Sequence, residues 1–435
     1  MRARAVLGLL VVLAVLAVGC SGPALGPTSP TTRDPPAAAA LLEEPSPRQP
    51  SPGPAPLLSP GQPVDWWFAF KFNAGTFSGC DAPKACPFGG AVQTYRSGDG
   101  EEFAVASSLA PTLDMSTSCI GGGDADPLGA TFGQVYRGHA FYVLYNDQFY
   151  RDPAIRGCGD SCPSPWAHAK GMVAWGPAGD GFVLQVTTPS WPASGSRAHP
   201  RRTDGNTLGC VTDDNVLVSQ HFFALRLNHP DLVAVLGALA NAGVVTDTTN
   251  PQIVLAGGPA DVQALVAGLG QKSKSREVTR DTLSSGVTVL SKPPALHVPP
   301  WQMVSALLGG ASLRTATWWE GRSALPSTTS RTPVDCWDAS LGRPGAVEIA
   351  TTGTWRGHPI GLTGGLGKDH HHGKLGVVTD AGSSAVIFGD MNQEGSLSGD
   401  CGAAQNGRGG LFFVLSNASL HASLSRLLEG QSAPQ

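Results

Sequence analysis

The triplet His-x-Lys occurs twice, as His168-Ala169-Lys170 and His372-Gly373-Lys374, and each copy opens the same local pattern. After the first come Gly171-Met172-Val173-Ala174, a glycine-rich turn and an apolar run over residues 182–186. After the second come Leu375-Gly376-Val377-Val378, an Ala-Gly-Ser turn and an apolar run over residues 385–388. Both read as a strand–turn–strand hairpin headed by the triplet. The copies stand 204 residues apart, about one domain length. In a chain with 11 histidines a single such triplet carries little, but two that open matching hairpins point to a duplicated unit. The length suits two domains or one pseudo-duplicated one.

Residues i and i+2 of a strand point to the same face. Each triplet thus aims one imidazole and one ammonium in one direction, and two triplets side by side would surround a small anion, most simply a phosphodiester. Cleavage through a covalent intermediate needs a nucleophile, charge on the non-bridging oxygens, an acid for the leaving group and a base for water. A neutral imidazole can attack phosphorus, and a protonated one can serve as acid and then as base. Two lysines supply positive charge without a metal. His168, Lys170, His372 and Lys374 are the candidate catalytic residues. Asn392, in Gly389-Asp390-Met391-Asn392, and Arg408, in Arg408-Gly409-Gly410, are candidate phosphate contacts. The run Asp369-His370-His371-His372 suggests a metal at first sight, but consecutive strand residues alternate faces and do not converge on one ion. No metal and no cofactor are expected.

The remaining chain gives the setting. Arg2 and Arg4 precede an apolar run over residues 5–18, and Ala17-Val18-Gly19-Cys20 resembles a bacterial lipobox, so residues 1–20 read as a lipoprotein export signal with Cys20 as the lipidation site. Residues 21–63 are rich in Pro, Ala, Ser and Gly and read as a disordered tether. The expectation is an envelope lipoprotein held on a membrane (at the outer membrane, in the periplasm or at the cell surface) or a secreted protein. The eight cysteines beyond Cys20 imply disulfides, with Cys80–Cys86, Cys158–Cys162 and Cys336–Cys401 as the pairings suggested. A net charge of -4 excludes a global basic field, so a polyanion would need a local basic groove. Two halves are drawn at 64–225 and 226–430.

Aromatic-rich residues 65–72 read as a buried strand, as do residues 141–145, 170–175, 182–186 and 385–388. Helical spacing appears at Leu232, Val235, Leu236 and Leu239, and at Val262, Leu265, Val266 and Leu269. It recurs at Trp301, Val304 and Leu308, and at Leu420, Leu424, Leu427 and Leu428.

Several of these segments, in this order, resemble the deoxyribonuclease II family. They are Trp66-Trp67-Phe68-x-Phe70-Lys71, Tyr145-Asn146-Asp147-Gln148, His168-Ala169-Lys170-Gly171, Gly205-Asn206-Thr207-Leu208-x-Cys210, His372-Gly373-Lys374, Gly389-Asp390-Met391-Asn392 and Arg408-Gly409-Gly410. The resemblance spans residue 65 to about 415. It implies the α/β fold of the phospholipase D superfamily, a pseudo-duplicated pair of mixed β-sheets flanked by helices with one site at the junction, together with metal-independent endonucleolytic cleavage of DNA and 3′-phosphate and 5′-hydroxyl ends. By the same analogy His168 is the nucleophile and His372 the general acid. Where animal members have His-Ser after the first hairpin, this chain has Thr187-Thr188, which are candidates for that hydroxyl contact. Three histidines precede Gly373 where the family has one, and Thr379 stands where the superfamily signature has Asp, with Asp380 one position later. DNA is the expected substrate and partner, and a homodimer is compatible with the chain. Two other readings use the same residues: a phospholipase D-type phosphodiesterase acting on lipid, and a non-catalytic surface lipoprotein of this fold.

Overall fold

A computed structural model describes residues 53–77, 101–121, 123–202, 208 and 217–435. The export signal, Cys20, most of the tether and the Cys80–Cys86 pairing lie outside the described residues. Residues 50–435 form one compact unit.

Its strands are β1 (Trp66–Lys71), β2 (Phe103–Ser107), β3 (Asp114–Met115), β4 (Phe141–Asn146), β5 (Lys170–Trp175), β6 (Gly181–Val186), β7 (Gln220–Leu227) and β8 (Val254–Leu255). Then follow β9 (Thr279–Thr282), β10 (Thr288–Lys292), β11 (Leu313–Ala316), β12 (Val347–Ile349), β13 (Thr352–Trp355), β14 (His358–Gly361), β15 (Leu375–Val378), β16 (Ala385–Gly389) and β17 (Gly410–Ser416). The helices are α1 (Pro127–Tyr136), α2 (His229–Ala242), α3 (Ala260–Ala267), α4 (Pro300–Leu307) and α5 (Ala418–Leu427).

One sheet has the order β3-β2-β1-β7-β6-β5-β4-β8 and the other β12-β11-β15-β16-β17-β10-β9, while β13 and β14 pair separately. The middle of the first is β1-β7-β6-β5-β4 and of the second β10-β17-β16-β15-β11, and every one of these neighbours is antiparallel. The same strands arise in the same chain order, with α1 and α4, then α2 and α5, at matching points. The duplication inferred from two hairpins thus extends to five strands and two helices per half. Register makes it residue-specific. Gly171 pairs with Gln185 and Leu375 with Phe388, so Lys170 matches Lys374 and Thr187 matches Asp390. Lys71 pairs with Gln220 and Lys292 with Gly410, so Lys71 matches Lys292.

The sheets meet through aromatic side chains. Phe388 stacks on Phe68 at 4.6 Å and lies 4.5 Å from Phe223, which reaches Phe413 at 5.7 Å. Alternation separates two cores. Val386, Phe388, Leu411 and Phe413 face the first sheet, whereas Ile387, Phe412 and Val414 face outward. There Trp301 of α4 covers Phe412 edge-on at 5.3 Å. Helix α2 packs across strands of both sheets.

The four helices read from apolar spacing are present as α2, α3, α4 and α5, and Gly243 closes α2 in the left-handed conformation (φ 70°). Helix α1 has no counterpart in that reading. Two internal glycines argue against a helix, yet a Cβ on Gly129 would lie 1.6 Å from the Gly123 carbonyl oxygen, so close packing requires one of them. The ordered body also begins earlier than the expected tether end at residue 63. Ala55 exchanges hydrogen bonds with the Gln134 side chain, and Leu57 does so with Thr131. Proline carries no N–H, so this proline-rich segment has few donors to satisfy, and Asp180 also accepts from the Gly53 N–H (2.6 Å). Cys158–Cys162, expected from its short spacing, is bonded, and so is Cys336–Cys401.

Candidate active site

The two triplets stand at the heads of β5 and β15, and each is tied to the other half of the molecule. The His168 N–H donates to Gly409 O (2.8 Å), just before β17. The His372 N–H donates to Ser219 O (2.8 Å), just before β7. Ser219 and Gly409 occupy matching positions, so the two bonds are one interaction used twice. The triplets are brought together: His168 and Lys170 act electrostatically on His372, and Lys170 acts on Lys374. All four side chains are buried, with His168 the most exposed at 7%.

Asp147, just past β4, organises the first triplet. It accepts from Lys170 Nζ (2.7 Å), His168 Nδ1 (2.9 Å) and Arg408 Nη2 (2.9 Å). Burial would raise its carboxyl, but Lys170, His168 and Arg408 outweigh that and hold it well below the usual carboxylate range. An ionised Asp147 fixes the proton of His168 on Nδ1. His168 Nε2 then carries the free lone pair, and it is buried without a hydrogen-bond partner. Burial and the Lys170 charge push His168 down to about 3, with Asp147 offsetting part.

The second triplet is held differently. His372 Nδ1 faces Gln220 Oε1 at 3.3 Å, and its ring meets Trp318 edge to face at 5.0 Å. Gln220 Oε1 can only accept, so the ring proton again sits on Nδ1. Burial first, then Lys374, Lys170 and His168, hold His372 well below 6.5. The Lys374 ammonium bonds to His372 O, and burial followed by the Lys170 charge lowers it well below the ordinary lysine value. The Lys374 N–H donates to His221 Nδ1 (3.1 Å), which places the His221 proton on Nε2, facing Gln185 Oε1 at 3.5 Å. Gln185 in turn donates to Asp390 Oδ1 (3.0 Å), and the Leu411 N–H donates to Asp390 Oδ2 (2.9 Å). Burial pushes Asp390 up to about 7. In acid this carboxyl is neutral and no longer offsets the charges of Lys170 and Lys374, which Asp147 still faces.

Three expected phosphate contacts have other commitments. Arg408 turns inward, donating to Asp147 and to the carbonyls of Trp166 (3.2 Å), Cys162 (2.7 Å) and Ala167 (3.1 Å). Its role in this arrangement is to position Asp147. Thr187 Oγ1 donates to Gln220 Oε1 (2.6 Å) and accepts from the His221 N–H (3.0 Å). Asn392 spends one amide proton on Glu394 (3.0 Å), while its Oδ1 is buried and unpartnered. Thr188 Oγ1 is also buried and unpartnered, as is Gln220 Nε2. His371 stacks on Phe70 (5.9 Å). Among the described residues, no three His, Cys, Asp or Glu side chains are grouped to hold a metal ion.

Asp147, Gln220, His221 and Trp318 were not singled out as functional residues in the sequence. Asp147 lay in a quoted motif without a role, and the others come from strands whose partners only register reveals. Asp147 stands 21 residues before His168 and Trp318 54 before His372, so no common spacing in the sequence marks them as a pair.

The duplicated sheets and the paired imidazoles and ammoniums define a two-module α/β protein with a buried site suited to an anion. The deoxyribonuclease II family model matches residues 56–433, and the chain belongs to that family of hydrolytic deoxyribonucleases. No curated protein sequence matched the chain in direct comparison. The family makes the protein a hydrolase with DNA as its substrate, acting as an endonuclease.

Proposed function

We propose that this protein cuts DNA through a phosphohistidine intermediate, using His168 as nucleophile and His372 as general acid and base. The observation that supports this reading is a buried surplus of positive charge beside unpaired polar atoms. Lys170, Lys374 and Arg408 face one fixed carboxylate, Asp147, because Asp390 is neutral in acid. A buried polar atom left unpaired costs about 1–3 kcal/mol. His168 Nε2, Thr188 Oγ1 and Gln220 Nε2 are all in that state. A phosphodiester supplies the missing negative charge, and the lone pair on His168 Nε2 supplies the nucleophile.

In the first step His168 Nε2 attacks phosphorus. An N–P bond forms, the P–O5′ bond breaks, and the departing oxygen takes the proton from His372 Nε2 to become a 5′-hydroxyl. His372, now neutral, removes a proton from water, whose oxygen attacks phosphorus. The N–P bond breaks, a 3′-phosphate leaves, and the lone pair returns to His168. Lys170 and Lys374 carry the charge of the non-bridging oxygens throughout. The unequal settings of the two histidines favour this division: a fixed carboxylate stabilises the positive charge His168 acquires on attack, and His372 has none to retain its proton. The phospholipase D superfamily, inferred from the resemblance, fits the same chemistry. Export and lipidation at Cys20 are part of the proposal, tested by mass spectrometry of the mature N-terminus.

The test is plasmid digestion in EDTA at acidic and neutral pH with wild type, His168→Ala and His372→Ala. Nicking in EDTA, lost by at least about 1,000-fold in both variants, is expected. Strict dependence on a divalent metal would overturn the mechanism. Release of phosphatidic acid from vesicles with plasmid left intact would overturn the substrate.

A further inference from the structure

We propose that Trp318 is the positioning residue that makes the two histidines unequal: it covers His372 in the place where Asp147 holds His168, and so confines proton donation by His372 to acidic solution. This rests on the reading of His372 as the general acid. The equivalence comes from register. In the first half Asn146 pairs with Lys170, and Asp147 follows. In the second half Ala316 pairs with Leu375, so continuing the ladder sets Thr317 opposite Lys374, and Trp318 follows. The contacts agree with the register. Asp147 bonds His168 at 2.9 Å, and Trp318 meets the His372 ring at 5.0 Å with an interplanar angle of 86°. The duplicated plan therefore has a carboxylate beside one imidazole and an indole beside the other.

That exchange has a chemical consequence. A carboxylate stabilises an imidazolium, whereas an aromatic wall excludes the water that would solvate it. The groups facing His372 contain no compensating anion. They are Gln220 from the head of β7, the Thr187 backbone after β6, Lys374 on its own strand, and Lys170 and His168 from the head of β5. Asp390 and Glu394 lie one step further away and act on Lys374. Gly364 keeps the indole in place, since a Cβ there would come within 3.1 Å of Trp318 Cδ1 and 2.9 Å of Trp319 N. His372 is thus kept neutral until the solution is acidic or a phosphate anion arrives. His168, steadied by Asp147, remains the attacking group.

The experiment compares wild type, Trp318→Phe, Trp318→Asp and Trp318→Asn by two readouts. The first is the pH dependence of kcat/KM on plasmid DNA. The second is the titration of His372 by NMR of protein carrying isotope-labelled histidine, which needs no activity. Trp318→Phe keeps an aromatic cover and is expected to retain the wild-type profile. Trp318→Asp recreates the Asp147 arrangement beside Lys374. It is expected to move the upper limb of the profile, and the His372 midpoint, upward by about one pH unit or more. Trp318→Asn removes the cover without adding charge and is expected to move both by less. An unchanged His372 midpoint in folded Trp318→Asp or Trp318→Asn would overturn the proposal. A wild type that fails to cut DNA would overturn the functional reading instead, and the NMR arm would still decide the role of Trp318.

Discussion

Replacing Asp147 by Asn removes one oxygen's charge and almost no volume, yet it strikes the most heavily used carboxylate in the site. Oδ1 accepts from the Lys170 ammonium, and Oδ2 accepts from both His168 Nδ1 and Arg408. An amide retains one acceptor. If its oxygen takes the Oδ2 position, the NH2 group is pressed against Lys170 Nζ, where the carboxylate distance is 2.7 Å. If the amide flips, the NH2 group faces Arg408 and the Nδ1 of His168. That second arrangement moves the His168 proton to Nε2 and removes the lone pair that attacks phosphorus. Breaking a buried ion pair on one side costs about 3–5 kcal/mol of stability. Losing the carboxylate that fixes a catalytic imidazole costs on the order of 10⁴-fold in turnover where this has been isolated. Asp147→Asn is therefore expected to lower kcat by about 10³- to 10⁴-fold with little change in KM, and to lower the urea midpoint. Single-turnover nicking of supercoiled plasmid in EDTA reads the first quantity and equilibrium unfolding reads the second. A folded variant with kcat within about threefold of wild type would show that His168 needs no fixed tautomer, and the reasoning would fail.

The pH dependence of kcat/KM is expected to be bell-shaped and acidic, because it reports the free enzyme. His168 must be neutral, which sets the lower limb near its value of about 3, and His372 must be protonated, which sets the upper limb below 6.5. A plateau extending above pH 8 would contradict this. Lys292 Nζ donates to Asn406 O and Arg408 O at 2.8 Å each, stapling the loop that carries Arg408 to Asp147. Lys292→Met should lower kcat about tenfold by leaving those carbonyls unpaired and loosening Arg408, and unaltered kcat would refute the staple. His371 is buried and pushed down to about 3 from 6.5, so the folded state binds its proton less readily than the unfolded one. Stability from this group is complete above pH 6.5 and is lost as pH falls, by about 2 kcal/mol at pH 5. His371→Phe should remove that part of the acid destabilisation measured in urea, and an unchanged pH slope would refute it.

The strands around both triplets were legible because buried β-structure announces itself through apolar runs between turn residues, and residues 170–175 and 182–186 are such runs. Helices α2 and α5 were legible through their apolar stripes. Helix α1 was not, because two internal glycines lower its helix propensity, and one of them, Gly129, is required by close packing against the Gly123 carbonyl. The His-x-Lys spacing exposed the four central groups because i and i+2 share a face whatever the tertiary context. Gln220, His221 and Trp318 lacked any such signal, since their proximity to the triplets depends on which strands neighbour one another. Arg408 was read as a phosphate contact because arginine beside glycine suits one. Only the fold reveals that Asp147 and three carbonyls already occupy its guanidinium.

The most direct measurement is the chemical identity of the intermediate. DNA labelled at its 5′ end is mixed with enzyme at acidic pH in EDTA, quenched within milliseconds in denaturant, and the protein is digested and mapped by mass spectrometry. The account predicts a phosphoramidate linking the DNA 3′-phosphate to His168, absent from His168→Ala. An adduct on His372, or normal turnover through no protein adduct at all, would contradict it.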